Sequence, residues 1–182
     1  MPTCNSYCST PLPAFSENDC DATVAAGGKI AILFDCDSVS HLADDYSTVN
    51  VNTDLSSGKA TQIPDALVSA PEASPNAAGS TYKAGAEPKT SSYTQTITIM
   101  DANVSTVNDA AYETIDATTG RSIASLLVIT VGGHTEKFRA LNSFNVTVTK
   151  PIDPSVDEQI HYVATVTGKM LHKSEMITTP VI

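Results

Sequence analysis

Hydrophobic and polar residues alternate with a period of two over much of this chain. Lys29 to Phe34 (KIAILF) is apolar at almost every position, as a strand buried on both faces requires. An acidic turn, Asp35 to Asp45, follows. From Tyr46 to Leu55, Val49, Val51 and Leu55 fall on one side and Thr48, Asn50, Asn52 and Asp54 on the other. That alternation predicts a half-buried strand with a wet face. Residues 56–92 are rich in Ser, Gly, Ala, Thr and Pro, with prolines at 64, 71, 75 and 88, and read as one long loop. Tyr93 to Met100 returns to strand alternation, with Ile97 and Ile99 opposite Thr94, Thr96 and Thr98.

The period then changes. Val104, Val107, Ala111 and Ile115 are spaced three, four and four apart, which predicts a helix near residues 104–116 packing that face on the sheet. Asn103 or Ser105 can cap its start, and Gly120 lies beyond its end. Arg121 to Val131 is apolar on both faces. Gly132-Gly133 predicts a tight hairpin turn into His134 to Leu141. Phe144, Val146 and Val148 line one face of the next strand. Lys150 to Glu158 is a connection rich in Pro and Asp, and Gln159 to Thr167 is the last clear strand. The expected fold is mainly β: an antiparallel β-sandwich or barrel with one flanking α-helix and long extended loops. Its parts are an irregular N-terminal arm, residues 1–28, and a β-sandwich domain, residues 29–182, carrying the long loop 56–92. Within the arm, Phe15 is the one candidate anchor. No internal repeat is visible.

Charge narrows the function. The 182 residues carry ten Lys and Arg against twenty Asp and Glu, a net of −10. Residues 1–82 hold ten of the acids and only two bases, Lys29 and Lys59. Without clustered bases, sequence-specific binding of nucleic acid and attachment to anionic membranes are disfavoured. The longest run free of charge and turn residues, Ile123 to Val131, is about half of what a membrane-spanning helix needs. The N-terminus lacks the basic and then apolar pattern of a secretory signal. No membrane anchor is therefore expected.

The chemistry-bearing residues form no convincing catalytic set. Cys4, Cys8, Cys20 and Cys36 include one loose Cys-x₃-Cys knuckle, and free, partly buried thiols are the simplest expectation, ahead of disulfides or a metal site. Asp35-Cys36-Asp37 follows an apolar strand, as the nucleophile and acid/base of Asp-x-Asp phosphatases do. That chemistry needs a parallel sheet and a downstream Lys and Asp, which this pattern does not supply. Gly27-Gly28-Lys29 lacks the rest of a phosphate loop. His134-Thr135-Glu136 lacks the cysteine pair of a deaminase. His41, His161 and His172 are scattered. Asn103-Val104-Ser105 and Asn145-Val146-Thr147 match the glycosylation pattern, which arises readily by chance in so Ser/Thr/Asn-rich a chain. The expectation is a protein that is not an enzyme and uses no metal or cofactor.

The order of elements over residues 90–171 resembles the tail tube proteins of long-tailed bacteriophages and their relatives in head–tail rings and contractile injection systems. The resemblance rests on Ser92 to Ala102 as a strand entering a helix and Ser122 to Leu141 as a long hairpin. Phe144 to Pro151, an acidic turn, and Ile160 to Lys169, ending in Thr-Gly-Lys, complete it. It implies a β-sandwich with a flanking helix that assembles with copies of itself into a hexameric ring in the virion. The ring would contact other tail or connector proteins, and DNA would pass through it without specific binding. On that basis Asp44, Asp45, Thr48, Asn50, Asn52 and Asp54 are expected to line an acidic channel. Ile63, Pro64, Leu67, Val68 and Tyr82 of the long loop are expected to contact neighbouring subunits. The alternatives are another β-sandwich structural protein (a capsid decoration or head fibre protein, a pilin or an adhesin) and, more remotely, the Asp-x-Asp phosphatase.

Overall fold

The computed structural model describes residues 11–15, 28–77, 90–119, 123–130, 134–150 and 161–177. Among the described residues, eight strands and three α-helices follow one another as β1 (Gly28–Phe34), α1 (Val39–Ala43), α2 (Thr48–Ser57), β2 (Ala60–Ser69), β3 (Ser74–Ala77), β4 (Thr90–Asp101), α3 (Thr106–Ile115), β5 (Ile123–Thr130), β6 (Thr135–Thr149), β7 (Tyr162–Met170) and β8 (Glu175–Ile177). Every strand pairing is antiparallel. The circuit β1–β2–β4–β7–β6–β5 returns to β1, so six strands close into a barrel. β3 extends one edge of β4, and β8 lies beside β6. The mainly β, antiparallel architecture expected from the alternation is therefore present. Closure within one chain also protects the edges of these strands.

The two strands apolar on both faces, β1 and β5, explain the layering. Ala31, Leu33, Leu126 and Val128 point into the barrel. There they meet Ile63, Ile97, Ile99, Phe138, Phe144 and Val166 in the main core. Ile32, Phe34 and Leu127 point outward into a second core beneath Tyr46 and Val51, with Leu55 packed against it. The cover is α2. The strand expected over Tyr46–Leu55 is thus corrected to a helix over Thr48–Ser57. Val51 and Leu55 are four residues apart, which puts them on one face of a strand and also about one turn apart on a helix, so the apolar pattern fits both. Gly58 decides the matter at the C-terminus. It caps α2 in the left-handed region at φ 72°, donating to Asp54 and Leu55 carbonyls.

The long loop is corrected as well. Residues 60–69 form β2 and residues 74–77 form β3; residues 78–89, including Tyr82, lie outside the described residues. Pro64 and Pro75 are tolerated because prolines at strand edges and irregularities forfeit little of the ladder. The register of β2 against β1 shifts between Lys29 and Ala31, opposite Ala66 and Ile63. Asp65 occupies that irregularity with φ 53°. Gln95, buried in β4 where its edge passes from β3 to β2, donates to the Pro71 carbonyl at 2.8 Å and ties the β2–β3 connection to the barrel.

The helix expected at 104–116 is α3, capped by Ser105, whose Oγ accepts from the Asn108 N–H at 3.1 Å. Its buried face differs from the expected one. Ala111 and Ile115 are buried as predicted, but Val104 and Val107 are 50% and 54% exposed, and Asn108 and Tyr112 take their place. Tyr112 stacks on Tyr162 with ring centroids 4.6 Å apart and meets the edge of Phe15 at 4.7 Å. Its hydroxyl donates to the buried Asp101 carboxylate at 2.9 Å, and burial raises the Asp101 pKa. Phe15 is the anchor the sequence suggested, and Leu12 joins it in the core. The Gly132-Gly133 turn and the 151–160 connection lie outside the described residues, but β5 and β6 pair as a hairpin from Ile129↔Thr135 onward.

Candidate assembly and channel surface

The residues expected to line a channel do not form one wall. Asp54 on α2 is fully buried. Its carboxylate accepts from Val39 N at 2.7 Å, Ser40 N at 2.8 Å and Ser40 Oγ at 2.5 Å, capping α1 from fourteen and fifteen residues away. It cannot face a channel. Asp44 closes α1 in the left-handed conformation, φ 52°, and its carboxylate meets Arg139 Nη1 at 2.7 Å and Lys137 Nζ at 3.3 Å. Burial alone would raise its pKa, but the hydrogen bonds from Arg139 and Lys137 hold it below the usual carboxylate range. Asp45 accepts from the Ser47 N–H at 3.1 Å and the Asn50 amide at 3.0 Å, a turn fixed by its own side chain. Thr48 and Asn50 are half-buried at the start of α2, and Asn52 is exposed on it. In place of a wet sheet face, these six positions lie on α2 and on the turn joining α1 to it, and α2 covers β1 and β5.

The expected subunit contacts divide similarly. Ile63 and Val68 are 0% and 3% exposed and belong to the barrel core, so they are not available to a neighbour. Pro64 is half-buried. Leu67 is 48% exposed and faces outward.

The surface that does present regular polar chemistry is the outside of β2, β4, β7 and β6. Strand register sets Ser69, Thr98, Thr165 and Thr147 in one row across four strands. The next row toward one end is Thr96, Thr167 and Asn145; toward the other it is Leu67, Met100, Val163 and Thr149. Neighbouring strands are about 4.8 Å apart, so the Ser69, Thr98, Thr165 and Thr147 hydroxyls form a closely spaced ladder, whereas the Leu67, Met100 and Val163 row is apolar apart from Thr149. The rows contain no charged side chain, although the chain as a whole carries −10. The inward neighbours, Ile97, Ile99, Ala164, Val166 and Val146, are fully buried, which fixes which way the threonines point. The Thr-x-Thr runs were legible in the sequence; their alignment into rows depends on registers that the sequence does not state.

The other candidate chemistry changes too. Asp35 is buried and accepts from the Cys36 N–H at 2.6 Å, while Asp37 pairs with Lys59 at 2.5 Å. Both neighbours of β1 run antiparallel to it, so the parallel sheet of an Asp-x-Asp phosphatase is not there. Cys36 is disulfide-bonded, which corrects the expectation of free thiols at that position; Cys4, Cys8 and Cys20 lie outside the described residues. Among the described residues, no three His, Cys, Asp or Glu side chains are grouped to hold a metal ion, and no helix is long and apolar enough to cross a membrane. No family model, curated protein or solved structure matches the chain.

Proposed function

We propose that this chain is a structural subunit that assembles with copies of itself into a hexameric ring, of the kind found in phage tail tubes and head–tail connectors. In this reading it acts in a virion, beside other tail or connector proteins, and gives DNA a passage. The observation that carries the proposal is the set of uncharged rows across β2–β4–β7–β6, two of them made of Thr, Ser and Asn; Lys169 stands beyond them on the same face, in register with Thr94. Threonine and serine hydroxyls exchange hydrogen bonds with water at little cost, so such a face suits a wet wall better than a core. Over these rows the wall presents no Lys or Arg to form counterion-releasing contacts with DNA, which carries a negative charge about every 1.7 Å of duplex. The channel surface therefore moves from the α1–α2 region to this face, and the wall is neutral where the sequence suggested an acidic one.

Negative-stain images of the purified protein test the reading: rings or stacked rings are expected, and a uniform population of monomers or trimers would refute it. In assembled rings, Thr98→Lys combined with Thr165→Lys should make DNA adhere in a salt-dependent way, whereas the same change at Asn52 and Thr53 on α2 should not. The disulfide at Cys36 favours a second reading, a decoration or adhesin-like protein working in oxidising surroundings. Monomers or trimers in the same images would support it.

A further inference from the structure

Pairing between β6 and the chain beside it is interrupted. It stops at Asn145↔Thr167 and resumes at Lys137↔Glu175. Both chains advance by the same eight residues between these pairs, so β7 and β8 are one strand in register, parted from β6 in the middle. On its other side β6 also shifts register against β5, between Ser125↔Arg139 and Ile123↔Phe144. The parting leaves a cleft of about 480 Å³, where Ala140 to Asn142 face Leu171 to Lys173 and the end of α1 forms a wall. That volume falls within the roughly 300–1,000 Å³ of small-molecule sites.

Charge in the cleft is balanced. Lys137 lies between Asp44 at 3.3 Å and Glu175 at 2.9 Å, Arg139 shares Asp44 at 2.7 Å, and Lys173 pairs with Glu72 at the rim. Each of the three cations lining the cleft is thus paired with a carboxylate, Lys173 with Glu72 from outside the lining, and a charged ligand would have to break one of these pairs. A hydroxyl group fits both: it donates to a carboxylate while accepting from a guanidinium. Further polar groups converge there. His41 Nδ1 is buried with no hydrogen-bond partner among the described residues, and the Asn142 amide is exposed on the opposite side. Leu141 and Leu171, 39% and 55% exposed, supply apolar surface between them. The geometry points to a site for a neutral polyhydroxylated ligand of about one hexose unit. Asp44 and Arg139 would take paired hydroxyls, His41 and Asn142 would take others, and the C–H face of the ring would lie on Leu141 and Leu171.

Saturation-transfer NMR on the full chain tests this, using glucose, galactose, mannose and N-acetylglucosamine, with glucuronate and inorganic phosphate as charged counterparts. At least one neutral sugar should bind, with affinity unchanged between low and high salt. Binding should fall at least about tenfold in Asn142→Ala and in Arg139→Gln, equivalent to ~1.4 kcal/mol. Because Arg139→Gln also removes a partner of Asp44, Leu171→Glu, which leaves all three cations in place, provides a second variant and should also abolish binding. No signal from any neutral sugar would overturn the proposal. So would tighter, salt-sensitive binding of glucuronate or phosphate, or native-like binding in Asn142→Ala and Leu171→Glu.

Discussion

Replacing Asp54 with alanine removes a carboxylate that is buried yet fully engaged, and the cost can be worked from its three partners. Val39 N, Ser40 N and Ser40 Oγ donate to it at 2.7, 2.8 and 2.5 Å. Alanine leaves two N–H groups of the first turn of α1 and one hydroxyl without an acceptor. A buried donor left unpaired costs about 1–3 kcal/mol, and loss of a helix cap about 0.5–2 kcal/mol. Ser38 Oγ still accepts from the His41 N–H at 3.2 Å, so α1 keeps part of its capping and the sum is not fully realised. A net loss of about 3 kcal/mol follows. At about 2–4 °C per kcal/mol for a chain of this size, Tm should fall by about 6–12 °C. Asp54→Asn preserves the shape and one acceptor but turns an amide N–H₂ toward N–H donors, and should lose about half as much. Thermal unfolding by circular dichroism measures both, and amide exchange should show the loss concentrated in Val39 to Ala43. An Asp54→Ala protein melting within about 2 °C of the native one would refute the idea that this carboxylate holds α1 on the barrel.

Three further outcomes follow from the packing. Burial, with Arg139 nearby and Asp44 opposing, lowers the His41 pKa from 6.5 to about 4. The unfolded chain therefore takes up a proton that the folded one refuses, so stability holds above about pH 6.5 and falls as pH drops toward about 4; His41→Gln should flatten that part of the Tm–pH profile. Gly168→Ala places a Cβ 2.5 Å from Phe144 Cδ1 and 3.2 Å from its Cα, and should cost about 1–3 kcal/mol in denaturant titrations. Val107→Asp, at a 54% exposed position in the first turn of α3, should change stability by no more than about 0.5 kcal/mol, whereas Ile115→Ala at a fully buried position should lose about 2–5 kcal/mol. Equal effects of these two substitutions would mean the buried face of α3 is misassigned.

The strands that pack against something on both faces were the most legible. Lys29 to Phe34 and Arg121 to Val131 read as two-sided strands from their apolar residues alone, and in β1 and β5 their partners on each face bear this out. What covered the second face was not legible. In Thr48 to Ser57 the β-branched Thr48, Val49, Val51 and Thr53 argue for a strand by propensity. Burial of Val51, the αL cap at Gly58 and the reach of Asp54 to α1 favour the helix, and these are tertiary facts. β2 was hidden for a different reason: Pro64 and Asp65 interrupt its pattern where its register shifts. On α3, Val107 fits the apolar spacing and Asn108 does not. The buried amide of Asn108, which donates to the Asn103 carbonyl at 3.0 Å, could be foreseen only by knowing the turn it satisfies. Thr48, Asn50, Asn52 and Asp54 lose their shared wet face with the strand expected to carry them. The hydroxyl rows were visible one strand at a time but could not be aligned without the registers.

The barrel closes on a short seam. Three residue pairs, Leu67↔Met100, Val68↔Ile99 and Ser69↔Thr98, join β2 to β4, while nine join β4 to β7 on its other side. Breathing of the molecule should begin at this seam, because fewer hydrogen bonds must break there than at the other interfaces of the circuit. Once it parts, Val68 and Ile99, almost inaccessible when closed, meet solvent together. Two adjacent strand edges are then unpaired in the same chain, with complementary registers already built in. An opened molecule meeting another opened molecule could pair β2 of one with β4 of the other in the registers each uses for itself, so the line along which the barrel seals is also the line along which two copies would exchange strands.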